Sequence, residues 1–321
     1  MSAGSRAVAV VGGTGVVGRR VVHRVRQVDA GRRVELLDTR VDDLATSALL
    51  EGVAVAVLAH PGPHHADAVT LLDREVAVVS LGDAVDDVAL LLDEGDRAEC
   101  DGVPLVVGAG MSPGLTSLLA RHLASSMATV DEIHVAVHGT AGPACARRHH
   151  RALAGQASFR HDGAFTSAPA GTGRALCWFP EPVGPYDCYR AELPAPLVLH
   201  RSFPDVDRIT ARLSANRRDR LTSRLPMLTP PHREGGVGAV RVEVRGADVD
   251  GARLTEVVGL AEMVGTAAAA TACAYVERAL AGELRAGLVV PGDADDDTTA
   301  LLHDIERFGV RLQEFTGVPR A

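Results

Sequence analysis

The 321-residue sequence contains no lysine, so every basic side chain is an arginine or a histidine. This absence excludes a Schiff-base lysine, a phosphate-loop lysine and a lysine general acid. Proton transfer in any active site therefore falls to His, Asp, Glu, Tyr, Cys or water. The five cysteines include no Cys-x-x-Cys pair, which favours reduced thiols over a disulfide framework or a zinc site.

Long apolar runs are also absent. The apolar stretches are short and interrupted by Gly, Pro and charged residues, so we predict no membrane-spanning segment, and the N-terminus lacks the apolar core of a cleavable signal. The net charge of −8 argues against nucleic acids and anionic membranes as partners. We therefore expect a cytoplasmic protein, long enough to hold two domains with separate cores.

A glycine motif follows the first apolar run. Gly13-x-Gly15-x-x-Gly18 follows residues 7–11, AVAVV, and opens into a helical pattern. In dinucleotide-binding folds the first glycine allows a tight turn, the second lets the backbone approach a pyrophosphate, and the third lets the helix pack against the strand. A plain strand–helix turn is the alternative, but the surrounding strand, helix and acidic residue favour dinucleotide binding.

The start of this helix and the end of the next strand complete the predicted cofactor site. We expect the amides of Val16 and Val17 to bind phosphate at the positive end of the helix dipole. Asp38 ends the second strand, where the adenosine ribose hydroxyls arrive, and its charge favours NAD over NADP. Arg40 can pair with a 2′-phosphate, so NADP stays open. Thr39, between these two residues, belongs to the same predicted cofactor site.

Strand and helix patterns alternate through the first part of the chain, which predicts a parallel sheet with helices on both faces. The predicted strands are 7–11, 34–38, 53–59, 76–79 and 105–107, and the predicted helices are 65–74, 84–94 and 115–126. After about residue 130, strands alternate with prolines, and the predicted elements are strands at 132–137, 198–203, 208–214, 240–244 and 254–260, helices at 265–284 and 299–308, and a strand at 310–312. The fold class is therefore α/β, with a Rossmann doubly wound sheet followed by a second, mostly antiparallel domain.

Three segments follow from these patterns. We predict a dinucleotide-binding Rossmann domain in residues 1–128 and a substrate or dimerisation domain in residues 129–264. Residues 265–321 form the third segment, a predicted C-terminal helix and tail.

Several turns carry a family resemblance. They are Ala59-His60-Pro61, Ser80-Leu81-Gly82-Asp83, Gly110-Met111-Ser112-Pro113-Gly114-Leu115, Phe179-Pro180-Glu181-Pro182-Val183-Gly184 and Gly265-Thr266-Ala267. Together with the glycine motif, they resemble the saccharopine dehydrogenase-like family, in the branch similar to glutamate-forming saccharopine reductase. The resemblance covers the first 125 residues well and the remainder loosely.

This resemblance implies hydride transfer between a nicotinamide and a C–N centre, with an amine and a carbonyl compound joined through an imine. It also implies an inserted mixed α+β second domain, a C-terminal helix and tail that return to the first domain, and frequent homodimers. Some relatives reduce carbon–carbon double bonds, so an enoyl-type reductase is one alternative. A dinucleotide-binding regulator without turnover is another.

Two titratable side chains are candidates for the chemistry. His60, between Ala59 and Pro61 at the expected nicotinamide end, is placed to move a proton, although it can also cap the turn or pack the cofactor. Asp83 is placed to hold an amine or iminium, although Gly-Asp is also ordinary turn chemistry. Both follow predicted strands at the carboxyl edge of the sheet, where open α/β sheets bind ligands.

The turn at Gly110 to Gly114 is predicted to offer backbone amides to a ligand, and Ser112 either binds an oxygen atom or caps the next helix. A small carboxylated substrate is best bound by an arginine, because its planar guanidinium can donate two hydrogen bonds to a carboxylate. The second domain supplies several candidates, namely Arg201, Arg212, Arg217, Arg218, Arg220 and Arg224. We predict no metal site, because the adjacent histidines of residues 147–151 and of residues 64–65 point apart on a helix.

Overall fold

The computed structural model describes residues 6–227 and 229–314. Its strands are β1 (Ala7–Val11), β2 (Val34–Leu37), β3 (Val53–Leu58), β4 (Ala77–Ser80), β5 (Pro104–Val107), β6 (Thr129–His138), β7 (Gln156–His161), β8 (Ala164–Pro169), β9 (Ala175–Trp178), β10 (Pro185–Arg190), β11 (Arg208–Ser214), β12 (Val237–Ala247), β13 (Arg253–Met263), β14 (Gly287–Val289) and β15 (Gln313–Glu314). Its helices are α1 (Val16–Val28), α2 (His65–Leu72), α3 (Val85–Leu92), α4 (Gly95–Cys100), α5 (Leu115–Ala124), α6 (Pro143–Ala152), α7 (Ala195–Ser202), α8 (Arg217–Thr222), α9 (Val264–Ala281) and α10 (Thr298–Arg307).

The first sheet is parallel and has the strand order β14-β5-β4-β3-β1-β2. Its central strands are continuous apolar runs because helices cover both faces, and all five residues of β1 are buried. The strand order reverses between β1 and β3. A crevice therefore opens at the carboxyl ends of these two strands, where such sheets bind ligands.

Two helices pack closely against this sheet. α1 buries Val21, Val22 and Val25 on one face. The alanine-rich helix α9 lies against α1, and its small side chains allow the two backbones to approach. α9 ends at Gly282, whose φ of 73° is the left-handed conformation that favours glycine.

The second sheet is mixed and has nine strands. Its main order is β15-β13-β12-β6-β11-β10-β9, with β7 on β11 and β8 on β7. The predicted hairpin is confirmed, since Val240 pairs with Leu260 across the turn that contains Asp250 and Gly251. β6 and β11 run parallel, whereas the other strand pairs of this sheet are antiparallel. The predicted fold class is confirmed.

Two predicted strands are wrong. Residues 198–203 belong largely to helix α7, because Pro194 and Pro196 favour a helix start and the buried side chains of Val198, Leu199 and Ser202 recur at helical spacing. Residues 310–312 are not a strand, and the pairing begins one residue later, in β15. Sequence reasoning also missed β7 to β10 and β14.

The C-terminal segment contributes to both sheets, since β14 lies beside β5 and β15 lies beside β13. The three predicted segment boundaries remain predictions, and residues 1–5 and 315–321 lie outside the described residues. Within residues 6–227 and 229–314, no helix combines the length and apolar composition that a membrane span needs.

Candidate functional site

A cleft of about 640 Å³ lies between the carboxyl edge of the parallel sheet and helix α6. Twelve of the fourteen predicted site residues line it, namely Gly15, Val16, Val17, Asp38, Thr39, Arg40, Ala59, His60, Pro61, Asp83, Gly110 and Ser112. The other two, Gly13 and Gly18, pack beneath the β1–α1 turn. The structure thus brings together residues from five separate turns of the sequence.

The glycines of the β1–α1 turn have roles that differ from the predicted ones. Gly12, not Gly13, takes the left-handed conformation, with φ of 80°. A Cβ atom on Gly12 would lie 2.8 Å from the His60 backbone, and one on Gly18 would lie 2.2 Å from the Gly12 carbonyl oxygen. A Cβ atom on Gly13 would instead meet Leu36 at 2.7 Å. Sequence reasoning missed Gly12 because it precedes the motif.

The N-terminus of α1 opens into the cleft. Gly15 is the N-cap residue, no side chain caps the helix, and its first turn holds no acidic residue. A Cβ atom on Gly15 would meet only the Gly12 carbonyl oxygen, at 3.1 Å. The turn is therefore a bare backbone surface with uncompensated helix-dipole charge, which fits the diphosphate of a dinucleotide.

Asp38 and Arg40 form an ion pair at one end of the cleft. Arg40 Nε donates to Asp38 Oδ1 at 2.9 Å, and the Arg40 backbone N–H donates to the same oxygen at 3.1 Å. These hydrogen bonds lower the pKa of Asp38 to about 2. Asp38 is therefore a carboxylate at all physiological pH values, and the Arg40 side chain remains 82 % exposed.

His60 lies at the end of β3 with its ring turned toward protein atoms. Gly62 N–H donates to His60 Nδ1 at 3.2 Å. His60 Nε2 is buried and lies 2.9 Å from Asp67 Oδ2, but the two atoms are not aligned for a hydrogen bond. In this geometry neither ring nitrogen is open to the cleft, an arrangement that favours packing of the turn over proton transfer.

His64 holds this turn in place, and sequence reasoning did not single it out. His64 Nε2 donates to the His60 carbonyl at 2.9 Å, so Nδ1 accepts from Ser80 Oγ, also at 2.9 Å. Asp87 accepts from the His64 backbone N–H at 2.8 Å and so compensates the start of α2. Burial lowers the pKa of His64 to about 4, so the ring is neutral at neutral pH.

Asp83 lies across the cleft from α6 and pairs with Arg148. Arg148 Nε is 2.7 Å from Asp83 Oδ1, and Arg148 Nη2 donates to the Pro61 carbonyl at 2.8 Å. Burial raises the pKa of Asp83, although Arg148 opposes this shift. The side chain is still 31 % exposed, which leaves it open to a ligand.

Cys145, Arg148 and His149 share one face of α6 because they are three and four residues apart. Cys145 Sγ lies 3.8 Å from His149 Nε2. Burial raises the pKa of the Cys145 thiol to about 12 and lowers the pKa of His149, so both groups are neutral at neutral pH. The run of arginine and histidine at residues 147–151 is the sequence signal for this face.

The six arginines predicted for a substrate carboxylate are not part of the cleft lining. For example, Arg220 Nε donates to the Gly171 carbonyl at 2.9 Å, and its guanidinium lies over the Tyr189 ring. The arginines that do line the cleft are Arg40, Arg147 and Arg148. This corrects the prediction for those six residues, because the cations that the second domain contributes to the cleft come from α6 and not from the later strands and loops.

The turn after β5 is closed by its own backbone. Gly110 N–H donates to the Pro113 carbonyl at 3.0 Å, and Gly114, with φ of 123°, is the N-cap residue of α5. Ser112 is therefore not the helix cap, and its hydroxyl accepts from Thr116 Oγ1 at 3.3 Å. Within the described part of the chain, no group of three or more His, Cys, Asp or Glu side chains is arranged to hold a metal ion.

No protein-family model and no curated protein sequence matches this chain. Its fold, however, matches solved structures. The apo saccharopine dehydrogenase (L-Glu forming) of Saccharomyces cerevisiae superposes with a TM-score of 0.69 at 12 % identity, over 97 % of this chain and 99 % of that one. The fold is similar to that of saccharopine dehydrogenase.

A second solved structure is more distant. A multiply substituted meso-DAPDH of Clostridium tetani, solved with DAP, gives a TM-score of 0.50 at 14 % identity, over 92 % of this chain and 96 % of that one. The saccharopine dehydrogenase-like resemblance of the sequence is thus confirmed at the level of the fold.

Proposed function

We propose that the protein is an NAD-dependent oxidoreductase that reduces the C=N bond of an imine formed from an amine and a small carboxylated carbonyl compound. The observation that carries this proposal is the juxtaposition of a bare glycine turn with the Asp83–Arg148 pair in one cleft. The first fits a dinucleotide and the second fits a charged substrate. The saccharopine dehydrogenase-like fold supports the same chemistry.

The cofactor would lie along the carboxyl edge of the parallel sheet. The amides of Val16 and Val17 would bind the diphosphate, and Asp38 would accept from the ribose hydroxyls. NAD is favoured because a 2′-phosphate would meet the Asp38 carboxylate and would have to draw Arg40 away from it. Once bound, the nicotinamide supplies or accepts a hydride.

The substrate nitrogen would lie next to Asp83. Arg148 holds one carboxylate oxygen at 2.7 Å and so orients the group. The other oxygen can then hold a cationic amine or iminium, whose charge a carboxylate stabilises. Leu81, Met111 and Val137 also line the cleft, and their apolar side chains would exclude water from the reacting carbon.

His60 is the predicted proton-transfer residue and stays a proposal. Its buried Nε2 would need a turn of the ring to reach a substrate. Ala59 and Pro61 flank it and would pack against the nicotinamide ring. We also propose that the protein acts as a cytoplasmic homodimer, as the resemblance implies.

Two measurements test this function. Fluorescence titrations with NADH and NADPH measure cofactor binding, and NADH oxidation is then followed with pairs of amines and 2-oxo acids. We expect micromolar or tighter NADH binding and turnover with at least one pair. Asp83→Asn should lower kcat/KM by about 10- to 100-fold, whereas Asp86→Asn, on the exposed side of α3, is the matched control.

The outcomes separate the alternatives. NADH binding without oxidation by any pair, but with oxidation by an α,β-unsaturated acid, would identify an enoyl-type reductase. Binding without any turnover would identify a regulator. Absence of both NADH and NADPH binding would overturn the proposal as a whole.

A further inference from the structure

Two cysteines lie on neighbouring strands of the second sheet, and neither lines the cleft. Cys177 is on β9 and Cys188 is on the neighbouring antiparallel strand β10. Cys177 is opposite Tyr186, and Cys188 is opposite Ala175, so the two cysteines are diagonal neighbours on one face of the pair. Both belong to the same small apolar cluster, in which Cys188 is fully buried.

The two thiols have different environments. The neighbouring Cys188 thiol lowers the pKa of Cys177, and Arg241 and Arg212 lower it further. The neighbouring Cys177 thiol, together with burial, raises the pKa of Cys188. Cys177 is thus the nucleophile of the pair, because a thiolate and not a thiol attacks oxidants.

Cys177 is also the accessible member. It lines a surface cavity of about 340 Å³ together with Trp178, Arg212 and Arg241. A small oxidant can enter this cavity, and its guanidinium groups can stabilise both the thiolate and a departing oxyanion. Cys188 is fully buried, and Cys177 is the cysteine diagonal to it on the neighbouring strand.

We propose that Cys177 and Cys188 form a peroxide-reactive dithiol that closes to an intramolecular disulfide. This inference does not rest on the proposed oxidoreductase function. β9 is the last strand of its sheet and has a single neighbouring strand, so it can shift toward β10 to reach disulfide geometry.

The reaction balances with hydrogen peroxide as the oxidant. The Cys177 thiolate attacks one peroxide oxygen, the O–O bond breaks, and the other oxygen leaves as hydroxide, which takes up a proton to become water. Cys177 is then a sulfenic acid. The Cys188 sulfur attacks it, the S–S bond forms and the S–O bond breaks, and the Cys188 proton leaves with the hydroxyl group as a second water. Two thiols lose two electrons and two protons, and the peroxide gains them.

The test uses the reduced full-length chain treated with a small excess of hydrogen peroxide, quenched with catalase and alkylated after denaturation. We expect alkylation of three of the five cysteines instead of all five. Arg174 and Arg190 flank the pair with no other tryptic site between them, so both cysteines leave in one peptide. After oxidation that peptide should carry no alkyl group, and its mass should be two hydrogen atoms below that of the unalkylated dithiol peptide.

A second readout comes from Trp178, the single tryptophan of the chain, which adjoins Cys177 and is 45 % exposed. Its fluorescence should fall on oxidation and return with dithiothreitol. In Cys188→Ala, dimedone should trap a sulfenic acid on Cys177. The matched control Cys100→Ala removes an exposed cysteine and should leave the disulfide unchanged.

Three results would overturn the inference. They are five alkylated thiols after peroxide treatment, a disulfide that includes Cys100, and sulfinic acid on Cys177 with Cys188 still free. The wild-type peptide mass decides among these results even if a variant fails to fold.

Discussion

Arg148 Nε on helix α6 lies 2.7 Å from Asp83 Oδ1, at the carboxyl end of β4. The same guanidinium donates to the Pro61 carbonyl at the end of β3. One arginine of the second lobe thus contacts two adjacent strand ends of the parallel sheet. The ion pair closes the cleft at the end where the reacting groups are proposed to meet.

The first prediction separates activity from stability at Asp83. Its folded-state pKa is raised, so the fold holds the protonated form more tightly than the unfolded chain does. This contribution to stability is complete below the unfolded pKa of 3.8 and is lost as the pH rises through the folded value. The ionised carboxyl therefore costs stability relative to the protonated one.

Asp83→Asn removes that cost and also removes the charge that is proposed to hold the iminium. We expect no loss in the free energy of unfolding at pH 7, measured in urea, and a fall in kcat/KM of about 10- to 100-fold, the cost of one charge-assisted hydrogen bond. A large loss of stability with unchanged turnover would show that Asp83 is structural. Asp86→Asn is the control.

The second prediction distinguishes two glycines of the β1–α1 turn. A Cβ atom on Gly18 would lie 2.2 Å from the Gly12 carbonyl oxygen, so Gly18→Ala must push α1 away from β1. We expect a loss of about 1–3 kcal/mol in the free energy of unfolding, as for other overpacked sites. Thermal and urea unfolding measure it, and Gly236→Ala, where an added Cβ meets nothing within 4 Å, is the control.

Gly15→Ala should behave differently. Its Cβ atom would lie 3.1 Å from the Gly12 carbonyl oxygen, which asks only for a small adjustment of the fold, but it would occupy space that the diphosphate needs. We expect nearly unchanged stability and a loss of NADH affinity of at least tenfold. Equal NADH affinity in Gly15→Ala and the parent chain would place the phosphates elsewhere.

The dinucleotide-binding half was predictable because its signals are local. The apolar run of β1, the glycine motif and Asp38 lie within a few dozen residues, and each has a direct physical reason. Residues 198–203 were misassigned because a short apolar run fits the periodicity of a strand as well as that of a helix. The prolines that favour a helix start lie before this run.

The far side of the cleft was not predictable from the same signals. Arg148 contacts Asp83 only after the two lobes fold together, so neither residue indicates its partner in the sequence. Gly12 and His64 were missed for a related reason. Their roles depend on the close approach of β1 and β3, which no sequence spacing reports.

The third prediction concerns cofactor preference at Asp38. Its pKa of about 2 keeps it charged, so the preference for NADH over NADPH should not change between pH 7.5 and pH 9, where the 2′-phosphate is also fully ionised. Asp38→Ala removes hydrogen bonds to the ribose, and we expect NADH affinity to fall by about 10- to 100-fold. NADPH affinity should fall less or rise, because the repulsive charge is gone.

Arg40→Met tests the other member of the pair. Since Arg40 is the cation that a 2′-phosphate would recruit, this variant should weaken NADPH binding more than NADH binding. Arg26→Met, on the exposed last turn of α1, is the matched control. Parallel losses for both nucleotides in Arg40→Met would mean that Arg40 acts only through Asp38.

The last prediction uses the buried ring of His64. Its pKa falls from 6.5 to about 4 in the fold, so the unfolded chain binds a proton more readily than the folded chain between these values. The neutral ring therefore contributes stability that is complete above pH 6.5 and is lost as the pH falls through about 4. A shift of this size corresponds to about 3 kcal/mol.

The His64→Gln variant has no titratable ring at this position. Its free energy of unfolding should therefore change less between pH 7.5 and pH 4.5 than that of the parent chain. His303→Gln, at an exposed position of α10, should keep the parent slope, and an equally steep slope in His64→Gln would assign the acid sensitivity to other groups.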